Sequence, residues 1–169
     1  NPTTAAKVVL GKILFHEEQL SSNGRMACAT CHQNEAGGGD ARRQRHPGLD
    51  GRRFTADDTF GSPGIERLDG NLHHAADPRF GFDEQVTGRA APSVHMAAWF
   101  DELLWDGARD QVLRDPETNA VVLATGAALE HQSLHPFRNE VEMAHAGRSW
   151  AQIRTALPNL RPLALASNL

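Results

Sequence analysis

The segment Cys28-Ala29-Thr30-Cys31-His32 decides how the rest of the chain is read. Cys-x-x-Cys-His is the attachment pattern of c-type haem. The two thiols add across the haem vinyl groups, and the adjoining imidazole binds iron from the proximal side. Two other chemistries use paired cysteines. A redox Cys-x-x-Cys favours a preceding strand in a βαβ setting, whereas the residues before Cys28 read as helix. A zinc site requires further ligands at paired spacing, and the chain holds only two cysteines. Cys28 and Cys31 are therefore read as the sites of one covalent haem c, with His32 as the proximal iron ligand.

Upstream, Ala6, Val9, Leu10, Ile13 and Leu14 recur at helical spacing behind a Thr3 or Thr4 cap. Leu10, Leu14 and Phe15 are expected to pack against a haem edge. Ser21-Ser22-Asn23-Gly24 breaks the chain just before the motif. Downstream, Gln33 to about Ala91 is rich in Gly, Asp and Arg. It reads as a long loop that a haem surface would organise, with Gly37–Gly51 partly a mobile insertion. Pro92-Ser93 opens a predicted helical stretch through Leu104. Gln111–Leu123 reads as a hairpin turning at Asp115–Asn119. A helix is predicted from about Ala127 to Leu134, and another from the capping box Ser149–Gln152 to just before Pro158. Arg161–Leu169 reads as a further helix.

Composition bounds the class. The chain has 169 residues, 40% hydrophobic and 22% charged, which suits one soluble domain over 1–169. A net charge of −4 gives no electrostatic case for nucleic acid. No run of about 18 apolar residues exists to span a membrane. The chain opens at Asn1-Pro2 without signal-peptide features, as expected of a processed or trimmed chain. Covalent haem attachment takes place outside the bacterial cytoplasm, so the expected compartment is the periplasm.

Five short boxes occur in one order: Leu10-Gly11-Lys12-Ile13-Leu14-Phe15, the Cys-Ala-Thr-Cys-His motif, Ala91-Pro92-Ser93, Leu104-Trp105-Asp106-Gly107, and Asn139-Glu140-Val141-Glu142-Met143. Together they resemble the N-terminal, peroxidatic haem domain of the bacterial dihaem cytochrome c peroxidase and MauG superfamily. The resemblance implies a mainly α, cytochrome c-like fold with long haem-wrapping loops and one small β-hairpin. It implies an oxidoreductase, reducing hydrogen peroxide at a c-type haem with electrons relayed from a second haem. It makes His32 the proximal ligand and Glu142 the distal acid–base group. Gln132, ten residues before Glu142, and Pro136, four after Gln132, match the family's distal glutamine and proline. Trp105 resembles the tryptophan that lies between the two haems. The chemistry agrees: cleaving an O–O bond needs a proton moved from the inner to the outer oxygen, and a positioned carboxylate can move it.

The implied partners are hydrogen peroxide, a second haem domain or an electron-donating cytochrome or cupredoxin, and a second copy of the chain. The second haem domain would lie outside these residues, since the chain holds one Cys-x-x-Cys-His. Two alternatives share the motif. One is a monohaem electron carrier in which Met143 or Met96 completes His/Met ligation. The other is MauG-like oxidation of a partner protein's side chains. Departures from the family pattern are specific. Ala108 intervenes before Arg109 in the Trp-Asp-Gly-Arg box. Ala90 replaces the asparagine that helps hold calcium between the domains, which argues against calcium. Phe82 occupies the position of the distal histidine found in members that need reductive activation, so an open distal site is expected unless His73 or His74 substitutes. Trp99 and Trp150 are read as core filling, and His16, His46, His95 and His145 as surface or capping groups. His131 and His135 flank the distal box and could tune it.

Overall fold

The computed structural model describes residues 2–162, so all but the first two residues of the predicted helix over Arg161–Leu169 lie outside it. The chain begins with α1 (Ala5–Phe15), capped by Thr4, whose hydroxyl accepts the Lys7 N–H at 3.3 Å. A 3-10 turn at Glu18–Leu20 leads to α2 (Cys28–Cys31), a single turn carrying both thiols. The Thr30 hydroxyl accepts the Ala27 N–H at 2.9 Å, which fixes where that turn starts.

The long Gly/Asp/Arg-rich region differs from its predicted form. It folds into two small antiparallel sheets, β1 (Gln44–His46) with β2 (Thr59–Gly61), and β3 (Pro63–Glu66) with β4 (Glu84–Val86). β1 and β2 both pack against β4. Strands of three or four residues interrupted by Gly and Pro carry no readable alternation, which is why the sequence shows only a loop. The glycines are nevertheless required. A Cβ on Gly61 would collide with the Thr87 carbonyl, and one on Gly64 with the Val141 carbonyl. Nor is Gly37–Asp40 a mobile insertion. Gly38, Gly39 and Asp40 are buried, and Ser93 Oγ donates to Gly37 O while the Val94 N–H donates to Gly38 O.

The predicted helix after Pro92 shrinks to one 3-10 turn at Ala97–Trp99. Met96 and Leu104 adopt left-handed backbone, with φ of 63° and 69°, which interrupts any continuous helix. The hairpin forms as expected from β5 (Leu113–Arg114) and β6 (Val121–Leu123), and the Asp115 carboxylate accepts the Glu117 and Thr118 N–H groups in its turn. α3 (Ala128–Leu134) runs into a 3-10 turn at His135–Arg138, and α4 (Trp150–Ala156) starts at the Ser149–Gln152 capping box. With three two-stranded sheets and 28% helix, the fold is mixed rather than mainly α.

The central cluster is Leu20, Met26, Ile65 and Met143, with Leu14, Cys31, Phe137 and Leu160 packed against it. It joins the segment before α2, strand β3 and the Met143 box around the Cys31 side chain. α1 contributes through its C-terminal end, since Leu10 is 54% exposed and no α1 residue is fully buried. His46 and His145, expected at the surface, are buried, and Trp99, expected in the core, is exposed. His46 stacks edge-on against Phe80, and His145 Nδ1 lies 2.9 Å from Ser22 Oγ. Among the described residues no helix is long and apolar enough to cross a membrane.

Candidate haem site

Cys28 and Cys31 are unpaired thiols on the same helical turn, both half-buried. Burial pushes the Cys31 thiol up to about 11, the Asp40 charge adds to the rise, and the Arg42 guanidinium opposes it. Burial also raises Cys28, and the Glu142 charge adds to the rise at both cysteines.

His32 follows directly. Its Nδ1 lies 3.1 Å from both the Gly38 and Pro92 carbonyl oxygens, so it is the protonated, donating nitrogen. The Nε2 lone pair is thereby left for a metal. The close wrapping of Gly37–Gly39 supplies one of those carbonyls. The first residue after α2 therefore has its tautomer set by backbone that the sequence presents only as glycine.

The Glu142 segment is pinned from three directions. Asn139 Nδ2 donates to Glu142 Oε1 at 2.8 Å, and Asn139 Oδ1 accepts the Val141 and Glu142 N–H groups. The buried Gln85 amide on β4 donates to Glu140 O at 2.8 Å and Ile65 O at 3.0 Å, while the Ile65 N–H donates to Val141 O. The Ser22 N–H donates to Met143 O at 2.8 Å, tying the box to the chain just before the motif. The buried Arg148 guanidinium adds donations to the Leu20 and Phe137 carbonyls. Burial raises the Glu142 carboxyl above its ordinary range, and Arg109 offsets part of that rise.

Several polar atoms of Arg109, His131 and Gln132 lack complete partners. Among the described residues, Arg109 Nε and Gln132 Oε1 are buried without a hydrogen bond. His131 Nδ1 sits 3.3 Å from Asp110 Oδ1, an ion-pair distance that lacks hydrogen-bond geometry. Burial and the Arg109 charge lower the His135 pKa, which favours its neutral form. Orphaned buried polar atoms carry a free-energy cost unless a ligand or water meets them. Two thiols and an imidazole with Nε2 free make a donor set that fits a covalent haem, and the unpartnered Gln132 amide oxygen leaves room for a further polar ligand.

The expected residues are not all alike in their setting. Cys28, Cys31, His32, Gln132, Pro136 and Glu142 are each half-buried, with Pro136 in the 3-10 turn after α3. Trp105 is 99% exposed, far from a packed core position. Met143 is 3% exposed with its thioether in the central cluster, while Met96 is 69% exposed. Phe82, His73 and His74 are exposed, and His73 Nδ1 lies 3.6 Å from Asp69 Oδ2. Asn139 and Arg109 are the residues that motif reading left unassigned. Asn139 opens the Glu142 box, where an Asx turn was the available signal.

A turn carrying two free thiols with an adjoining oriented imidazole, inside a small mixed fold, fits the class of haem-binding domains. The profile of the family described as di-haem cytochrome c peroxidase matches residues 5–163, and the chain belongs to that family. The Methylamine utilization protein MauG of Methylophilus methylotrophus is 50% identical over 107 residues, 63% of this chain and 22% of that protein. The Cytochrome c peroxidase Ccp of Escherichia coli (strain K12) is 48% identical over 42 residues, 25% of this chain and 9% of that protein. The solved structure of a MauG-like protein associated with microbial copper homeostasis aligns with 99% of this chain and 38% of that chain, at 21% identity and a TM-score of 0.45. The chain thus spans about a fifth of the length of the MauG protein that it matches.

Proposed function

We propose that this chain is the peroxidatic haem domain of a periplasmic dihaem cytochrome c peroxidase-like enzyme, reducing hydrogen peroxide with electrons relayed from a second haem. The observation that supports the reading is the Glu142 carboxylate, held by Asn139 at 2.8 Å in a segment that the Ser22 N–H ties to the chain just before the cysteine motif. Cys28 and Cys31 would hold the haem, which when bound would supply the iron centre and the electron-transfer chemistry. His32 would ligate that iron through Nε2, since its Nδ1 is committed to the Gly38 and Pro92 carbonyls. Gln132 offers its unpartnered amide oxygen to the protonated end of a bound peroxide. Glu142 takes the proton from the inner oxygen and returns it to the outer one, which leaves as water. Burial moves its pKa towards neutrality, where a carboxyl both accepts and donates well. Two electrons and two protons turn the peroxide into two waters. Trp105 is the residue through which electrons from the partner domain would pass, a role its exposure allows.

The distal position is read as open, because Phe82 cannot ligate iron and His73 is engaged by Asp69. A His/Met carrier draws little support from Met143, whose sulfur belongs to the core. MauG-like oxidation of a partner protein is the second reading, favoured by matches to MauG proteins that cover about two thirds of the chain.

The test begins with intact mass after expression alongside haem-attachment machinery. One added haem is expected, and an unmodified mass overturns the proposal. The ferric protein should then be high-spin and consume peroxide in the presence of a reduced donor. A fully low-spin His/Met spectrum would establish a carrier. Side-chain oxidation of an added partner protein without donor-dependent peroxide turnover would establish the second reading.

A further inference from the structure

The Asp40–Arg42 ion pair beside the haem-attachment turn is used by none of the steps above. Asp40 has no exposed side-chain surface, yet it is charged. Its Oδ1 accepts the Arg42 N–H at 2.8 Å and Nε at 3.0 Å, and its Oδ2 accepts Nη2 at 3.0 Å. The same Nη2 donates to Thr30 O at 2.7 Å and lies 3.6 Å from Cys31 Sγ. The guanidinium is therefore gripped by a planar fork on one side and by the α2 backbone on the other, with the Cys31 sulfur beneath it. The Ser62 hydroxyl helps hold the Asp40 carboxyl below its ordinary pKa, and Ser62 Oγ accepts the Ala91 N–H at 2.9 Å, next to the Pro92 carbonyl that orients His32. A solvated surface pair would show neither the buried carboxylate nor the sulfur contact.

We propose that Arg42 is a positioning residue that holds up the reduction potential of the haem joined at Cys31, by offsetting the buried Asp40 charge at the attachment edge. Reduction of the iron adds one electron and no proton. A nearby positive charge favours the reduced form, and an uncompensated negative charge favours the oxidised form. Arg42 Nη2 stands between the two, 3.0 Å from Asp40 Oδ2 and 3.6 Å from Cys31 Sγ, so charges of opposite sign meet at the attachment edge. Removing either one unmasks the other. Without Arg42 the carboxylate still keeps the Ser62 hydroxyl and a backbone N–H, which sustain its ionised state. The two single variants must therefore move the potential in opposite directions. A purely structural pair would loosen the site in the same way from either side.

The inference rests on the covalent-haem reading, and the experiment separates the two. Wild type, Arg42→Gln, Arg42→Lys and Asp40→Asn are checked for one haem by intact mass, then titrated by spectroelectrochemistry at about pH 8, where a carboxylate is ionised. Arg42→Gln should lower the ferrous-to-ferric ratio at fixed potential about tenfold, equivalent to about 59 mV for one electron. Arg42→Lys should stay within about threefold of wild type, and Asp40→Asn should raise the ratio. Shifts of one sign in Arg42→Gln and Asp40→Asn, or no shift in haem-loaded Arg42→Gln, overturn this inference alone. A wild-type chain without haem overturns the haem reading and this inference with it. If Arg42→Gln or Asp40→Asn fails to retain haem, Arg42→Lys decides: wild-type potential supports the charge role, and a tenfold fall overturns it.

Discussion

Asn139 holds Glu142 at both ends: its Nδ2 donates to Glu142 Oε1 at 2.8 Å, and its Oδ1 accepts the Glu142 N–H at 3.3 Å. One short side chain thus fixes the turn and aims the carboxylate that the turn carries. Charge and position are set together, since burial raises the Glu142 pKa while the amide limits where its oxygens point.

Glu142→Gln should keep the haem and the melting transition but slow peroxide cleavage by about 10²–10⁴-fold, the usual worth of a positioned acid–base group. Stopped-flow mixing with peroxide measures it. A change below threefold removes Glu142 from the chemistry.

Asn139→Ala leaves Glu142 in place but unaimed. Peroxide turnover should fall by about 10–100-fold, mainly in kcat, because misplacement of a reacting group costs on that scale. The loss in stability should be about 1 kcal/mol, the net value of a side-chain hydrogen bond. A variant with wild-type kcat would show that Asn139 serves the turn alone.

At Gly64 any side chain meets the Val141 carbonyl, one residue before Glu142. Gly64→Ala should cost about 1–3 kcal/mol through overpacking, and it should slow peroxide turnover by displacing the Glu142 turn. Thermal melting and steady-state assays check both. Undiminished stability would mean that β3 does not press on this segment.

Trp105 is 99% exposed, so Trp105→Phe should change stability by less than about 0.5 kcal/mol. In protein that carries both haem domains, the peroxide step should persist while electron delivery from the second haem slows. Rapid-mixing spectra resolve the two steps, and equal loss of both would argue for a structural role.

His145 predicts a pH dependence. Burial, with the neighbouring Arg148 charge, lowers its pKa below the ordinary value of 6.5, outweighing Glu140 and Asp69. Between the folded and unfolded values the unfolded chain binds the extra proton, so stability rises with pH there. The contribution is complete above about 6.5 and is lost as pH falls through the folded-state pKa. Melting curves over about pH 5–8 should show this slope in wild type and a weaker one in His145→Gln. Parallel slopes would place the titration elsewhere.

The sequence by itself determined the features that depend on local chemistry. Cys28, Cys31 and His32 must lie close together because only two residues, Ala29 and Thr30, separate the thiols and the imidazole follows directly. Thr4, Ser149 and Gln152 cap their helices, and Asp115 makes its turn, through contacts within a few residues. Tertiary structure alone decided the rest. β3 and β4 exist because Gly64 lets Val141 approach and Gln85 bridges two carbonyls, pairings that join residues 20 to 77 positions apart. His145 is buried because Ser22 meets it from 123 positions away. Arg42 reaches the Cys31 sulfur only because Asp40, itself buried by the glycine turn, holds its guanidinium there. Local periodicity reports helices and caps. It is silent on glycines whose value lies in what approaches them, and on charges whose partners arrive from elsewhere in the chain.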